Sequence, residues 1–325
     1  LQHTAEGYLA RSPEELFVVL RDLGDLTADE AAARSQGEGR AWLLRLAAQG
    51  RVAQIAIPSG EGAYALDFSP DGKRAFVAAS QSGVVTAIDC QSKQVVQKAT
   101  LRQEPWLVRA SSDGRTLAVP LRAASQLVLL SAETLDVQAV IPVAERPEHV
   151  IILADSSKAF VSSAGAGQVS VVDLRARVLL ANLPLGSPAA AFILKPDGGE
   201  LFVTTPDRSS LAILNTWTNE VTETVMAGDR PASGTMGSDQ PHYTLYLSDQ
   251  ASGHVRPFVC GLRRLLAPIP AGRSPGASQL TPNEELLLVV NEGSNDLAVI
   301  RKRTLSLLTL VPVGSGPRSL AVAML

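Results

Sequence analysis

From residue 63 to residue 101 the chain alternates short apolar runs with clusters of turn formers. Ala63 to Phe68, Arg74 to Ala79, Val84 to Asp89 and Gln94 to Leu101 are separated by Ser69-Pro70-Asp71-Gly72, Ser80 to Gly83 and Cys90-Gln91-Ser92-Lys93. Runs this short, rich in valine and alanine and closed by Gly, Pro, Asp and Ser, predict four β-strands rather than helices. In the first turn Pro presets φ and Gly supplies a left-handed residue. The valine and alanine runs are expected in the inner strands, where both sheet faces pack against neighbours.

The unit recurs. Ser111-Ser112-Asp113-Gly114, Asp155-Ser156-Ser157-Lys158, Lys195-Pro196-Asp197-Gly198 and Gly237-Ser238-Asp239-Gln240 continue the Ser69 turn, with aspartates 42 residues apart, and Thr281-Pro282-Asn283-Glu284 follows after 44. A seventh copy is read upstream in Ser12-Pro13-Glu14-Glu15, displaced by an insertion of 15 residues. Four strands at a fixed period near 42 residues describe one blade of a β-propeller. The expectation is therefore an all-β, seven-bladed β-propeller with four antiparallel strands per blade, filling residues 1–325 as one domain. Closure is expected from pairing of the N- and C-terminal segments: Pro317 to Ala323 reads as an inner strand with no blade after it, beside Leu16 to Leu20. Such closure removes the sheet edges that invite aggregation. Residues 21–40 form an insertion on the loop face, in which the capping box Thr27-Ala28-Asp29-Glu30 predicts a short helix over 28–34.

With those turns and the Pro residues that open units at Pro105, Pro147, Pro188, Pro231, Pro275 and Pro317, the repeats resemble the YVTN type, whose consensus runs from a Pro through Ser-Pro-Asp-Gly into valine-rich strands. The resemblance covers nearly the whole chain, although the unit beginning at Ala63 lacks the Pro. It implies an extracytoplasmic propeller, with relatives among surface-layer proteins, amine dehydrogenase heavy chains, haem domains of nitrite reductases and propeller lactonases. Fold follows from this far more closely than function.

A net charge of −3 without a basic stripe argues against a nucleic-acid partner. No apolar run reaches the roughly 18–20 residues of a membrane span, so no direct span is expected. The chain opens on Leu1 rather than Met, which fits a processed or trimmed N-terminus, removal of a leader being one explanation, and the expected location is periplasmic or extracellular. Cys90 and Cys260 have no metal or redox spacing, and both are expected to be free thiols. His3, His149, His242 and His254 fall in different blades, and there is no haem-attachment or nucleotide-binding motif, so no metal ligands and no cofactor are expected. Gly272-Arg273-Ser274-Pro275-Gly276 spells a nucleophile elbow, but it joins strands, and Pro275 removes the N–H that an oxyanion hole needs. No catalytic residue is therefore assigned.

Candidate contacts come from the loops entering each inner strand, which share one face with the loops joining second and third strands. They are Gln103, Glu104 and Trp106, then Glu145, Arg146, Glu148 and His149, then Asp229 and Arg230, then Arg273, and last Arg318. Such a mixed ring either solvates a rim and pairs internally or holds a ligand or partner. Arg146, Glu148 and His149 are preferred because a cation, a carboxylate and an imidazole converge in one loop. The expected role is a non-catalytic binding or scaffold module with a protein partner, a membrane-associated complex being one setting. The alternative is an enzyme, a propeller lactonase or an oxidoreductase subunit, with these groups at the channel mouth.

Overall fold

The computed structural model describes residues 41, 62–239, 242–320 and 322. The first-blade residues 12–20, the insertion at 21–40 and its helix, and part of the closing strand lie outside them. The chain divides into two compact units, one of residues 57–243 and one of residues 1–56 with 244–325.

In the 57–243 unit the four runs read from the sequence are the strands Ala63–Phe68, Arg74–Ala79, Val84–Asp89 and Gln94–Thr100, joined in that order into an antiparallel sheet. Three more sheets of four strands follow at 109–142, 147–184 and 191–226, then the strand Pro231–Gly237. The 244–325 unit holds two sheets. One contains Thr244–Asp249, His254–Val259, Arg264–Leu265 and Ile269–Pro270, and the other Pro275–Leu280, Leu286–Asn291, Asp296–Arg301 and Ser306–Pro312. Pro317 to Leu320 are described but are not in a strand. A strand exists only through its ladder partner, and residues 16–20 lie outside the described set.

The repeated turn explains why the period is legible. Ser69 Oγ donates to Asp71 Oδ1 at 2.7 Å, the Lys73 N–H donates to the same oxygen at 3.1 Å, and Gly72 N–H reaches Ser69 O at 2.8 Å. The carboxylate thus closes a turn that the backbone alone would leave open. Asp113 repeats it with Ser111 and Arg115, Asp155 with Ser157, and Asn283 with Thr281 and Glu285. These donors hold the Asp71, Asp113 and Asp155 carboxyls below the usual range, the serine hydroxyl being the main cause in each. In Asp197 burial opposes the shift, but the Gly199 N–H and Lys195 still leave the carboxyl lowered.

Burial departs from the expected pattern. The second and third strands are buried almost throughout, as in Arg74–Ala79 and Val84–Asp89, whereas the inner strand Ala191–Leu194 is mostly half-buried and the outer strand Gln94–Thr100 alternates. The two middle strands have ladder partners on both edges and packing on both faces, and the flanking strands lack one edge partner. Phe76, Phe160 and Phe202, each third in a second strand, are fully buried, worth roughly 1.5–3 kcal/mol apiece. Phe76 packs with Leu117 and Val119 of the next sheet, and Phe160 with Leu201 and Val203 of its own next sheet.

Long cations add directional ties between neighbouring sheets. The Arg74 guanidinium donates to Ala132 O at 3.2 Å and Glu133 O at 2.7 Å. Lys158 Nζ donates to Thr216 O at 2.8 Å, Trp217 O at 3.3 Å and Asn219 Oδ1 at 2.8 Å. Arg74 and Lys158 both open a second strand, and both reach a carbonyl 58 residues ahead. Thr116, which holds that position between them, is too short to do so.

Candidate functional site

The loop from Ala144 to His149 is set by buried serines. Ser163 Oγ donates to Ala144 O at 2.9 Å, Ala144 N–H donates to Ser170 Oγ at 3.0 Å, and His149 N–H donates to Ser162 Oγ at 3.0 Å. The last bond falls where the register between Pro147–Ile152 and Lys158–Ser163 shifts, so a serine hydroxyl replaces the missing ladder acceptor. Arg146 takes a left-handed φ of 57° just before Pro147, which turns the chain into the strand.

Arg122, in the turn after Thr116–Leu121, organises the predicted residues. Its guanidinium meets Glu148 Oε1 at 2.8 Å and stacks over the Trp106 ring with its carbon 4.2 Å from the centroid. The backbone adds a tie, since Arg122 N–H donates to Glu104 O at 3.1 Å. Arg146 approaches the same Glu148 oxygen at 4.0 Å. Side-chain exposure is 23% for Arg122 and 20% for Glu148, so this pair is better shielded from solvent than a surface pair, while Arg146 is 53% exposed. Arg122 Nε is buried without a hydrogen-bond partner among the described residues.

His149 follows Glu148 on the strand. Solvent reaches its side chain, but enough protein crowds the ring to lower its pKa below the usual histidine value; Glu148 opposes that shift and Arg109 reinforces it. At neutral pH the imidazole is therefore uncharged, able to accept a proton or hydrogen bond and to donate one. The cluster thus offers two cations, one carboxylate, one neutral imidazole and an aromatic face on two neighbouring sheets.

The other candidates are not drawn into it. Arg230 faces Asp207 at 3.9 Å, and Asp229 O accepts from Ser209 Oγ at 2.6 Å, so both attach to the turn around 206–209. Arg273 and Arg318 belong to the 244–325 unit, where Arg318 meets Glu292 at 3.5 Å while 84% exposed. Among the described residues, no three of His, Cys, Asp and Glu gather in a metal-holding arrangement, and no helix is long and apolar enough to cross a membrane.

The sheets find their likeness in solved structures. Hydrazine synthase of Kuenenia stuttgartiensis superposes with a TM-score of 0.62 at 16% identity, over 82% of this chain and 92% of that one. The dihydro-haem d1 dehydrogenase NirN, in complex with DHE, gives 0.67 at 18% identity over 78% of this chain and 57% of its own. A functionally unknown protein from Desulfotomaculum acetoxidans gives 0.63 at 15%, covering 82% and 90%. The fold is that of a β-propeller. Identities this low carry the fold alone. The profile of the large helicase-related protein winged-helix domain matches residues 1–67, a segment that runs across the expected first blade and ends inside the strand Ala63–Phe68. No curated protein matches the chain in sequence.

Proposed function

We propose that the protein is a binding propeller of the YVTN type that presents the Trp106, Arg122, Arg146, Glu148 and His149 surface to a protein partner as an extracytoplasmic subunit. The observation that supports this reading is the Arg122 junction. It fixes an aromatic face and a carboxylate in place and leaves Arg146 half exposed beside them, the aromatic and arginine content in which recognition surfaces are enriched. Affinity capture of the native protein beside an R122M/R146A/E148A variant tests it. A stoichiometric partner retained by the native chain and lost by the variant upholds the reading; a partner retained equally by both rejects this surface.

One observation favours the enzymatic alternative. His149 is held neutral beside Glu148, the condition for a general base, and two of the solved structures of like fold are named as enzymes. A chromophore or metabolite that co-purifies with the native chain and is lost on H149Q would move the assignment there.

In the same reading the ring has seven blades, the seventh completed by the two chain ends. The winged-helix match covers the residues that this closure needs. An experimental structure of the full chain separates the two assignments. Residues 16–20 paired beside 317–323 uphold closure, and a separate module at residues 1–62 overturns it.

A further inference from the structure

The Gly-Arg-Ser-Pro-Gly segment that imitates a nucleophile elbow has a different use in the 244–325 unit. Together with the turn at 250–253 and the outer strand Ser306–Pro312, it lines a cavity of about 510 Å³. That volume lies in the range of small-molecule sites. Two glycines let the loops meet. Gly253 has φ +73°, and a Cβ there would lie 2.6 Å from Gly272 O; its own carbonyl accepts from Ala271 N–H at 3.0 Å and Gly272 N–H at 3.2 Å. The wall is therefore fixed before anything binds.

Arg273 stands on this wall with its backbone held at both ends. Its N–H donates to Ser294 Oγ at 3.1 Å and its carbonyl accepts from Gly293 N–H at 3.0 Å. Among the described residues, no carboxylate pairs with its exposed guanidinium. Ser252 lines the same cavity, with its Oγ turned away from solvent. The remaining surface includes Leu307 and Leu310 of the outer strand. A single guanidinium with no second cation suits a singly charged planar anion, which it grips with two parallel N–H donors, better than a phosphate.

We propose that this cavity binds a small amphipathic monocarboxylate, with its carboxylate on Arg273 and its aliphatic body on Leu307 and Leu310. No residue of the 104–149 cluster takes part, so this site stands or falls independently of the function proposed above.

The test is a titration of the full chain, methyl-labelled at leucine, with hexanoate, hexanamide and inorganic phosphate, followed by NMR. Hexanoate is expected to shift the Leu307 and Leu310 methyls saturably, with hexanamide about tenfold weaker and phosphate inactive. R273M should weaken hexanoate about tenfold, and R273K should fall between because it keeps the charge and loses the fork. Leucine methyls remote from the cavity, unchanged between variants, certify the fold. Absence of saturable shifts at Leu307 and Leu310, equal affinity for hexanamide, a phosphate response in place of the hexanoate one, or undiminished affinity in R273M with its remote methyls intact would each overturn the assignment.

Discussion

Replacing Lys158 by Met should unlatch two adjacent sheets while leaving the apolar packing between them in place. Methionine keeps an unbranched stem of similar reach and removes only the charged donor. Three acceptors lose it: Thr216 O, Trp217 O and Asn219 Oδ1. Hydrogen bonds to a charged group contribute roughly 1.5–3 kcal/mol, and Lys158 is half-buried, so solvent screening moves the expected loss to about 2 kcal/mol. Thr216 is buried, and its carbonyl is left underpaired. Equilibrium urea unfolding, followed by far-UV circular dichroism, reads the change. Asn219 has φ 60°, so N219G removes its side-chain acceptor without straining the backbone, and the K158M/N219G double mutant isolates one bond of the three. A coupling of about 0.5–1 kcal/mol is expected between the two sites. The reasoning is refuted if K158M unfolds within about 0.5 kcal/mol of the native chain, or if the two changes simply add.

Two further outcomes concern pH. Burial lowers the folded-state pKa of His149, so the folded chain binds fewer protons than the unfolded one as pH falls from 6.5 through that lower value, and stability drops over this window. A carbon-detected NMR titration of the ring should give a midpoint under 6.5, H149Q should flatten this part of the stability profile, and a midpoint at or above 6.5 contradicts the account. The Asp155 carboxyl is also lowered, and linkage gives the same sign in a more acidic window: its turn stabilises fully above pH 3.8, and that contribution is lost as pH falls through the folded value. D155N, which copies the arrangement at Asn283, keeps the acceptor without its charge, so it should be slightly less stable than the native chain at neutral pH and lose less stability in acid, as acid titrations of the two proteins would show.

The repeat was readable because each turn is chemically explicit. Ser, Asp and Gly perform separate tasks in it, and the strand bounds at 63–100 follow within a residue at the outer end. Arg122 was not found, although it ties Trp106 to Glu148. The candidate contacts lie in loops entering inner strands, whereas Arg122 lies in the Arg122-Ala123-Ala124-Ser125 turn between second and third strands. The blade pattern puts that turn on the same face, and Arg122 is the cation it carries there. The serines that set the Ala144–His149 loop were hidden for another reason. Ser162, Ser163 and Ser170 sit inside strand patterns, where a small hydroxyl reads as a tolerated substitute for alanine, and only the register shift reveals the bonds they replace.

The spacing of the long cations has a mechanical corollary. Arg74 clasps the 63–100 sheet to the 109–142 sheet and Lys158 clasps 147–184 to 191–226, while at the seam between 109–142 and 147–184 Thr116 is too short and the tie is the exposed Arg177, which donates to Gln138 O at 3.2 Å. That seam is the one Arg122 and Glu148 span at its other end. Whatever engages Glu148 then competes with the cohesion of the molecule itself. By reciprocity, occupancy at the surface and the tightness of this joint must report on one another.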